Sequence, residues 1–502
     1  MARNSPPFSK NRNNDGRYKA HIVLLLTLDD MPPSHYIRTR KLSKQPSNSN
    51  ESFFSKVVDS HPYFPNLSVS ASDISSVKLA ALVLVYSSLL LRSNGGQIDD
   101  EVEHKKKLME FFDTNSGGTQ ESSAMSQLSC TKVTGGITNA LFRVSGFQSI
   151  TSLPTAADFD SVLVRIFGAE GMIDRDIETS TYAALCNADI AYKYMGRFSN
   201  GRIEGWLDGY HPLQNQDLTD EATSLEIAKE MARLHCLFDV PEGELRDHHC
   251  GTELDVISVG LWDQLSSWME QAKGYSEFKT AKDTERARSL QLDKIEMEVQ
   301  TIIQSFAATE EENDSGDSTA SICGSSSKPN VVFCHNDLLL ANIMKNKTTG
   351  HIQLIDFEYG GSNYAAFDMA NHFNEYAGGT TTKENGVPDY TRFPNSERQT
   401  KFCVEYVKMT KRLESMKSDI TDQADYNGGQ KEMVIEEDEG IMNEAIQLLS
   451  HVQQFILVNH LYWGLWAVNQ AAEEGCEEFD YLTYASNRFN EYYVKKSEWE
   501  EK

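Results

Sequence analysis

The sequence predicts an α+β fold in two lobes, in which a small β-rich lobe precedes a larger and mostly helical one. Three observations support this fold class. Short strand-like apolar runs lie between residues 129 and 167, one extended segment follows at 202–207, and helical spacing dominates from residue 221 onward. The chain has 502 residues, 39% of them hydrophobic, which supplies packed cores and excludes wholesale disorder.

Elements of the first lobe can be assigned in chain order from the spacing of apolar residues. Helical spacing predicts helices at 76–92, 99–113 and 174–187. Alternation and β-branched residues predict strands at 129–133, 140–147 and 161–167. The longest apolar run, 79–91, has 13 residues, whereas a membrane span needs about 20, so we expect a buried helix and no stable membrane insertion.

Changes in composition divide the chain. We expect an N-terminal lobe over 56–205 and a C-terminal lobe over 206–502. Residues 1–55 are polar and basic and predict an irregular tail. Two segments with little apolar content, 309–329 and 415–440, are predicted to be low-complexity inserts, because they bury too little apolar surface to offset the entropy of ordering.

The net charge of −27 limits the classes of partner. A surface this acidic argues against a nucleic-acid binder, because phosphate contacts need clustered lysines and arginines. It is compatible with a cationic small-molecule substrate, although acidic surfaces also keep proteins soluble. The eight cysteines form no C-x-x-C pair, which favours reduced thiols and a cytoplasmic protein. The basic and Ser-rich residues 1–50 leave organellar targeting open.

The most informative stretch, residues 331–358, reads VVFCHNDLLLANIMKNKTTGHIQLIDFE. Short apolar runs in it predict strands at 331–334, 343–347 and 352–355. Thr-Thr-Gly between the second and the third run predicts the turn of a hairpin. We expect this arrangement to bring three polar side chains to one end of the sheet, namely Asp337, Asn342 and Asp356.

These three residue types are the ones that phosphoryl transfer requires. The reaction needs a carboxylate that accepts the proton of the acceptor hydroxyl, and oxygen ligands that hold Mg²⁺ on the phosphates. Asp337 suits the first role, whereas Asn342 and Asp356 suit the second. Glu358 is expected on the same side of the strand end, where it shares contact with the metal or the substrate. Taken alone, the trio could still be a turn and a chance match.

The spacing H-x-D-x-x-x-x-N followed by I-D-F resembles the catalytic and metal loops of the protein-kinase-like superfamily. The longer text at 333–378 resembles the choline/ethanolamine kinase family. Within it, Asn-Asp-Leu-Leu after His335 and HFNEYAG at 372–378 resemble the ethanolamine branch. The resemblance covers roughly residues 56–500 and is strongest at 331–378 and 459–490.

This resemblance implies a two-lobed protein-kinase-like fold and the phosphorylation of the ethanolamine hydroxyl, with ATP and Mg²⁺ as cofactors. A choline kinase or a dual-specificity enzyme is the nearest alternative, because the sequence holds both carboxylates and aromatic residues for a cation. An aminoglycoside-type phosphotransferase is disfavoured by the paired tryptophans and the NHFNEYAG helix. A catalytically inactive binding protein is disfavoured because the base and metal residues are all present. The oligomeric state, a homodimer included, stays open.

The resemblance also assigns residues to the nucleotide. In the family, a glycine-containing loop lies over ATP, and glycines let the backbone approach phosphates closely. The matching loop lies between two predicted strands and consists of Gly135, Gly136, Ile137, Thr138 and Asn139. Arg165 stands where these kinases place a cation on the phosphates, and its five-donor fork suits phosphate oxygens.

Two acidic residues complete the nucleotide prediction. Glu178 is the expected partner of Arg165, with Asp174 and Asp176 as nearby alternatives. Glu204 lies in the segment that matches the connection between lobes, whose backbone is expected to meet the adenine.

The acceptor pocket is predicted from two helices. Asp368, His372 and Glu375 share one face of a predicted helix at 365–377. The resemblance implies that Asp368 braces the catalytic loop. His372 is expected to be a packed histidine, and Glu375 to contact the cationic substrate.

Aromatic residues are expected to form a second wall of this pocket. Trp463 and Trp466 share a face of a predicted helix at 443–472, a pattern that more often indicates core packing. A small alkylammonium nevertheless suits an aromatic wall through cation–π attraction. The match of YWGLW to the family therefore favours both tryptophans, together with Tyr484, as substrate residues, and Tyr359 and Tyr364 as weaker candidates.

Overall fold

The chain divides into two compact units. Unit 1 comprises Met1–Gly171, Tyr182–Asn187 and Tyr192–Asp208, and unit 2 comprises Met172–Thr181, Ala188–Ala191 and Gly209–Lys502. The sequence places the boundary after residue 205 and gives 172–181 and 188–191 to the first lobe. The computed structural model describes residues 57–58, 60–94, 101–114, 123–133, 139–168, 175–238, 260–315, 329–381, 383–422 and 439–501. The predicted N-terminal tail lies outside these residues.

Within its described residues, unit 1 holds a six-stranded sheet in the order β1-β5-β6-β4-β3-β2. Only the β1–β5 pair is parallel among these strands. The bounds are β1 (Tyr63–Phe64), β2 (Ser129–Val133), β3 (Asn139–Ser145), β4 (Ser161–Phe167), β5 (Tyr194–Phe198) and β6 (Gly201–Gly205). The predicted strands at 129–133, 140–147 and 161–167 are confirmed as β2, β3 and β4, and the extended segment at 202–207 is β6.

Strand β5 was not predicted, because its sequence lacks a regular alternation. A register shift interrupts its pairing with β6 between Tyr194 and Gly196. Gly196 has a φ of 129°, and a Cβ at this position would lie 2.5 Å from the carbonyl oxygen of Pro62. Glycine therefore permits both the backbone conformation and the close approach of the chain around residue 62.

Helix α1 (Ile74–Ser93) forms the centre of the unit 1 core. It begins at Asp73, whose side chain accepts a hydrogen bond from the backbone of Ser75. The helix is long and apolar enough to cross a membrane, with a mean hydropathy of 2.0, but 78% of the window concerned is buried inside the protein. The predicted buried helix at 76–92 is thus confirmed.

Two further helices follow α1 in unit 1, α2 (Glu101–Thr114) and α3 (Ser123–Gln127). Helix α2 confirms the predicted helix at 99–113, and it packs on α1 through the rings of Tyr86 and Phe111, 4.4 Å apart. Helix α4 (Arg175–Asn187) confirms the prediction at 174–187, and its residues 175–181 belong to unit 2.

Unit 2 is mostly helical and carries two small sheets in its described residues. One sheet has the order β10-β9-β7 and the other pairs β11 with β8. Its strands are β7 (Tyr210–Pro212), β8 (Val331–Cys334), β9 (Ile343–Asn346), β10 (Ile352–Leu354) and β11 (Gly361–Tyr364). Its helices are α5 (Glu221–Leu237), α6 (Leu261–Gly274), α7 (Ala281–Ser289), α8 (Leu292–Ser315), α9 (Ala365–Glu375), α10 (Ser396–Asp422), α11 (Glu439–Glu473) and α12 (Tyr481–Glu500).

The predicted elements around the chemical motif are confirmed as β8, β9, β10, α9 and α11. The two predicted inserts need correction at their ends. Helix α8 continues to Ser315 and α10 continues to Asp422, so both helices run into segments that were predicted to be irregular. A helix that is already formed extends at low cost, and α8 does so through three consecutive glutamates, which are good helix formers. Residues 316–328 and 423–438 lie outside the described part of the chain.

Close packing of α11 against α12 depends on Gly464. A Cβ at Gly464 would lie 2.3 Å from Cε1 of Phe489, whose ring is buried. We expect Gly464→Ala to lower the free energy of unfolding by about 1–3 kcal/mol, because the helices must separate or the ring must leave its rotamer. Denaturant unfolding followed by tryptophan fluorescence measures this change.

The matched control is Gly274→Ala at the end of α6, where a Cβ would meet no atom within 4 Å. This variant should keep its stability or gain about 0.5–1 kcal/mol. Equal stability of the two variants would contradict the packing argument at Gly464.

Candidate active site

The loop after β8 is held by Asp368 of α9. Asp368 accepts the backbone N–H of His335 through Oδ2 and that of Asn336 through Oδ1, both at 2.7 Å. Its Oδ2 also lies 3.1 Å from Nε2 of His235, and the carboxylate is fully buried. Asn336 has a φ of 67°, a conformation that Asn tolerates better than most residues. The predicted brace is therefore present, and it fixes the position of Asp337.

The ring of His335 joins this loop to the end of β10. Its Nε2 lies 2.8 Å from the carbonyl oxygen of Ile355, and its Nδ1 accepts the backbone N–H of Asp337 at 3.3 Å. These partners place the ring proton on Nε2. Burial lowers the pKa of His335, which favours the neutral ring that this pairing needs.

Asp337 and Asn342 are in direct contact. The amide Nδ2 of Asn342 donates to the backbone oxygen of Asp337 at 2.9 Å and to its Oδ2 at 3.0 Å. Because the NH₂ group faces Asp337, the Oδ1 of Asn342 is the atom left for a cation. The predicted proximity of these two residues is confirmed.

Three further carboxylates act on Asp337. Burial raises the pKa of Asp337 well above its ordinary value, and the negative charges of Glu375, Glu358 and Asp356 raise it further. Carboxylates with an amide oxygen form a donor set of hard ligands, which is the kind that Mg²⁺ prefers. The residues present therefore fit the predicted metal, and the assignment of Asn342, Asp356 and Glu358 as its ligands stays a prediction.

Arg175 brings a positive charge to this acidic group. Its Nη1 lies 2.7 Å from Oε2 of Glu178 and 3.6 Å from Oε2 of Glu358. No sequence pattern points to Arg175, because the motif lies more than 150 residues away. The predicted pairing of Glu178 with Arg165 stays a prediction.

Arg165 has a well-defined environment within unit 1. Its Nε donates to Oε1 of Glu204 at 2.8 Å, and Nε of Arg202 donates to the same oxygen at 2.7 Å. All three side chains are buried. Burial alone would raise the pKa of Glu204, but the two arginines hold it below its ordinary value. Glu204 thus fixes both arginines, and its predicted backbone contact with adenine stays a prediction.

The predicted nucleotide loop is described only at its last residue. Asn139 is buried and begins β3, opposite Phe167 of β4. Gly135, Gly136, Ile137 and Thr138 lie outside the described residues.

Aromatic side chains of unit 2 form a chain of edge-to-face contacts. The ring of Trp463 lies 5.6 Å from that of Tyr359 and 5.4 Å from that of Trp466. Trp466 in turn lies 5.7 Å from Tyr481. The predicted shared face of the two tryptophans is confirmed. Tyr364 instead packs on Phe455 at 4.9 Å, so its environment is that of a core residue.

Glu375 is buried beside a guanidinium that the sequence did not predict. Its Oε1 lies 3.5 Å from Nη1 of Arg488 in α12, and the same Nη1 lies 3.3 Å from the hydroxyl oxygen of Tyr484. Burial raises the pKa of Glu375 to about 7, against the opposing effect of Arg488. Glu375 and Tyr484, both predicted substrate residues, therefore meet at Arg488.

His372 is a packed histidine, as predicted. Its ring lies 5.3 Å from Tyr376 and 5.6 Å from Phe402, and it is fully buried. Burial lowers the pKa of His372 to about 4, so the ring is neutral.

The two-lobed α+β fold and the Asp337–Asn342 loop define a phosphotransferase of the protein-kinase-like class. A family model described as choline/ethanolamine kinase matches residues 130–493. The chain belongs to the choline/ethanolamine kinase family, which confirms the resemblance found in the sequence.

Curated relatives include kinases named for both amino alcohols. Ethanolamine kinase 1 of Mus musculus is 31% identical over 341 residues, covering 68% of this chain and 78% of the relative. Probable choline kinase 3 of Arabidopsis thaliana is 27% identical over 393 residues, covering 78% of this chain and 92% of the relative. At this level of identity the chain is a kinase of the family. The identity does not distinguish ethanolamine from choline as the preferred alcohol.

Solved structures share the fold. An ethanolamine kinase of Plasmodium vivax superposes with a TM-score of 0.55 at 22% identity, covering 86% of this chain and 99% of that chain. A choline kinase of Cryptosporidium parvum superposes with a TM-score of 0.52 at 25% identity, covering 74% of this chain and 90% of that chain. The predicted two-lobed protein-kinase-like fold is confirmed.

Proposed function

We propose that this kinase transfers the γ-phosphoryl group of ATP to the hydroxyl of ethanolamine, giving phosphoethanolamine for the CDP-ethanolamine route to phosphatidylethanolamine. The observation that carries the proposal is the contact of Asp337 with Asn342 inside a group of carboxylates that includes Glu375. Asp337 and Asn342 suit the hydroxyl and a metal ion, and Glu375 suits the cationic end of the substrate.

Asp337 accepts the proton of the hydroxyl as the oxygen attacks the phosphorus. Asn342 holds that carboxylate through Nδ2, and Asp368 holds the loop through two backbone N–H groups. Asn342 Oδ1, Asp356 and Glu358 would hold Mg²⁺. When bound, the metal ion supplies positive charge that neutralises the phosphate oxygens of ATP. In unit 1, Arg165 supplies further positive charge for the phosphates.

The ammonium end of the alcohol lies between two kinds of groups in this proposal. A primary ammonium donates hydrogen bonds, and the carboxylate of Glu375 accepts them. The faces of Tyr359, Trp463 and Trp466 attract the same cation through their π electrons. The ethanolamine preference is supported by Glu375 and by the Asn-Asp-Leu-Leu and HFNEYAG segments.

Choline is the second candidate acceptor. Its quaternary ammonium has no N–H to donate and depends more on aromatic faces. The chain of rings from Tyr359 through Trp463 to Trp466 is the observation that favours it.

A coupled assay of ADP release tests the proposal. The purified full-length protein is supplied with ATP and Mg²⁺, and with ethanolamine, choline or an aminoglycoside. We expect turnover that requires the amino alcohol and a higher kcat/KM for ethanolamine than for choline. Faster choline turnover would refute the ethanolamine preference. ATP binding without turnover of any alcohol would favour an inactive binding protein.

A further inference from the structure

We propose that Arg488 is a positioning residue for the cationic end of the acceptor, because it holds Glu375 in place and favours the ionised form of its carboxylate, which binds the ammonium group. The inference rests on the proposed function, since it concerns the same pocket. A guanidinium in direct contact with a cation would repel it. Arg488 therefore helps to bind the cation indirectly, through Glu375.

The position of Arg488 is set by α11 and not by Glu375. Its Nη2 donates to the backbone oxygen of Asn459 at 3.1 Å and to Oδ1 of Asn459 at 2.5 Å. That Oδ1 also accepts from Nδ2 of Asn374 at 2.8 Å. Arg488 is 2% exposed, so a buried network fixes the guanidinium independently of any ligand.

The contact with Glu375 is looser than the contacts with Asn459. Nη1 of Arg488 lies 3.5 Å from Oε1 of Glu375, at the outer limit of a hydrogen bond. Among the hydrogen bonds of the described residues, none occupies Oε2 of Glu375. One oxygen of the carboxylate therefore faces the fixed cation, and the other remains for the ammonium of a substrate.

Among the described titratable groups around Glu375, Arg488 carries a positive charge, and the others are acidic or neutral. These described groups either shift the pKa of Glu375 or have their own pKa shifted by it, and they come from several elements. They are Arg488 and Tyr484 of α12, Asp337 of the catalytic loop, and Glu384 and Tyr390 of the segment after α9. Without Arg488, a buried carboxylate near other carboxylates would hold a proton more tightly.

The sign of the pH effect follows from this arrangement. The pKa of Glu375 is about 7, so its carboxylate gains charge as pH rises through neutrality. Removing Arg488 moves this transition to higher pH, and Glu375 is then largely neutral at pH 7. A neutral carboxyl binds a cation weakly, so the KM for the amino alcohol rises. The kcat changes less, because Asp368 and Asn342 hold Asp337 without help from Arg488.

The experiment measures kcat and KM for ethanolamine from about pH 6 to pH 8.5, where one unit of pKa shift is a tenfold change in the ratio of ionised to neutral carboxyl. The variants are Arg488→Met, Arg488→Lys and Glu375→Gln, with Lys496→Met on α12 as the matched control. Lys496 pairs with Glu298 of α8, away from the pocket. Choline is the second acceptor. Its quaternary ammonium keeps its charge at every pH, so any pH dependence of the KM for choline comes from ionisation of the enzyme.

We expect the wild-type KM to fall as pH rises, and Arg488→Met to raise the KM at pH 7 about fivefold for a pKa shift of one unit, with recovery at higher pH. Arg488→Lys should restore most of the wild-type profile. Glu375→Gln should have a high KM that does not change with pH, and Lys496→Met should match the wild type.

Two results would overturn the proposal. One is an Arg488→Met protein with the wild-type KM and pH profile. The other is a uniform loss of activity and thermal stability that neither pH nor Arg488→Lys restores, since that outcome indicates a structural role. If Arg488→Met does not fold, the wild type and Glu375→Gln decide, because a pH-independent wild-type KM contradicts the inference. Wild-type protein inactive on both alcohols would instead refute the proposed function.

Discussion

An Asp337→Asn protein should fold normally and turn over at least about 10²–10⁴-fold more slowly than the wild type, because the amide cannot accept the hydroxyl proton. The side chain keeps its size, and its oxygen can still accept from Nδ2 of Asn342, so the loop should hold its position. The KM for the alcohol should change little, since Glu375 and the aromatic rings remain. Steady-state ADP release measures both constants, and circular dichroism confirms the fold.

The control for this variant is Asp293→Asn in α8, whose side chain is 91% exposed. It makes the same chemical change away from the site and should keep full activity. An Asp337→Asn protein with wild-type kcat would remove Asp337 from the role of proton acceptor.

The catalytic loop can be predicted from the sequence because the residues that form it lie close together along the chain. Asp337 and Asn342 lie five residues apart between two short apolar strands, and strand geometry alone brings such neighbours together. The same holds for Asp356 at the end of β10 and for the two tryptophans three residues apart on α11. Motif spacing and periodicity are sufficient wherever the contact is made within one hairpin or one helix face.

Arg175 and Arg488 could not be found in this way. Arg488 lies 113 residues after Glu375, and their contact exists only because α12 packs against α11 beside α9. Arg175 meets Glu358 from a segment that the sequence assigned to the first lobe. No spacing rule connects such positions, so charge partners of a predicted site are the part that requires the tertiary structure.

Strand β11 and the ends of two helices were missed for two other reasons. The sequence Gly-Ser-Asn-Tyr of β11 has no strand pattern, and the segment is extended because it pairs with β8 along its whole length. Helices α8 and α10 extend into polar segments because propagation needs no apolar face. Tertiary pairing in the first case and cooperativity in the second override composition.

An Asp368→Asn protein should lose about 3 kcal/mol of stability together with most of its activity. The reason is that one of the two buried oxygens that accept backbone N–H groups is replaced by an NH₂ group, which donates. The amide has one oxygen, whereas the carboxylate of Asp368 uses both oxygens for His335 and Asn336. One backbone N–H would then face an NH₂ group in a fully buried place, where no solvent compensates the loss. The loop that carries Asp337 would shift, so kcat should fall even though the proton acceptor is still present.

Denaturant unfolding and ADP release on the same preparation separate the two effects of this change. The matched control is Asp220→Asn at the start of α5, where the side chain accepts the backbone N–H of Thr223. Asn caps a helix as well as Asp does, so this variant should stay within about 0.5 kcal/mol of the wild type and keep its activity. If Asp368→Asn unfolds at the wild-type denaturant concentration and keeps its kcat, the loop after β8 does not depend on Asp368. The position of Asp337 must then come from His335 and Asn342 alone.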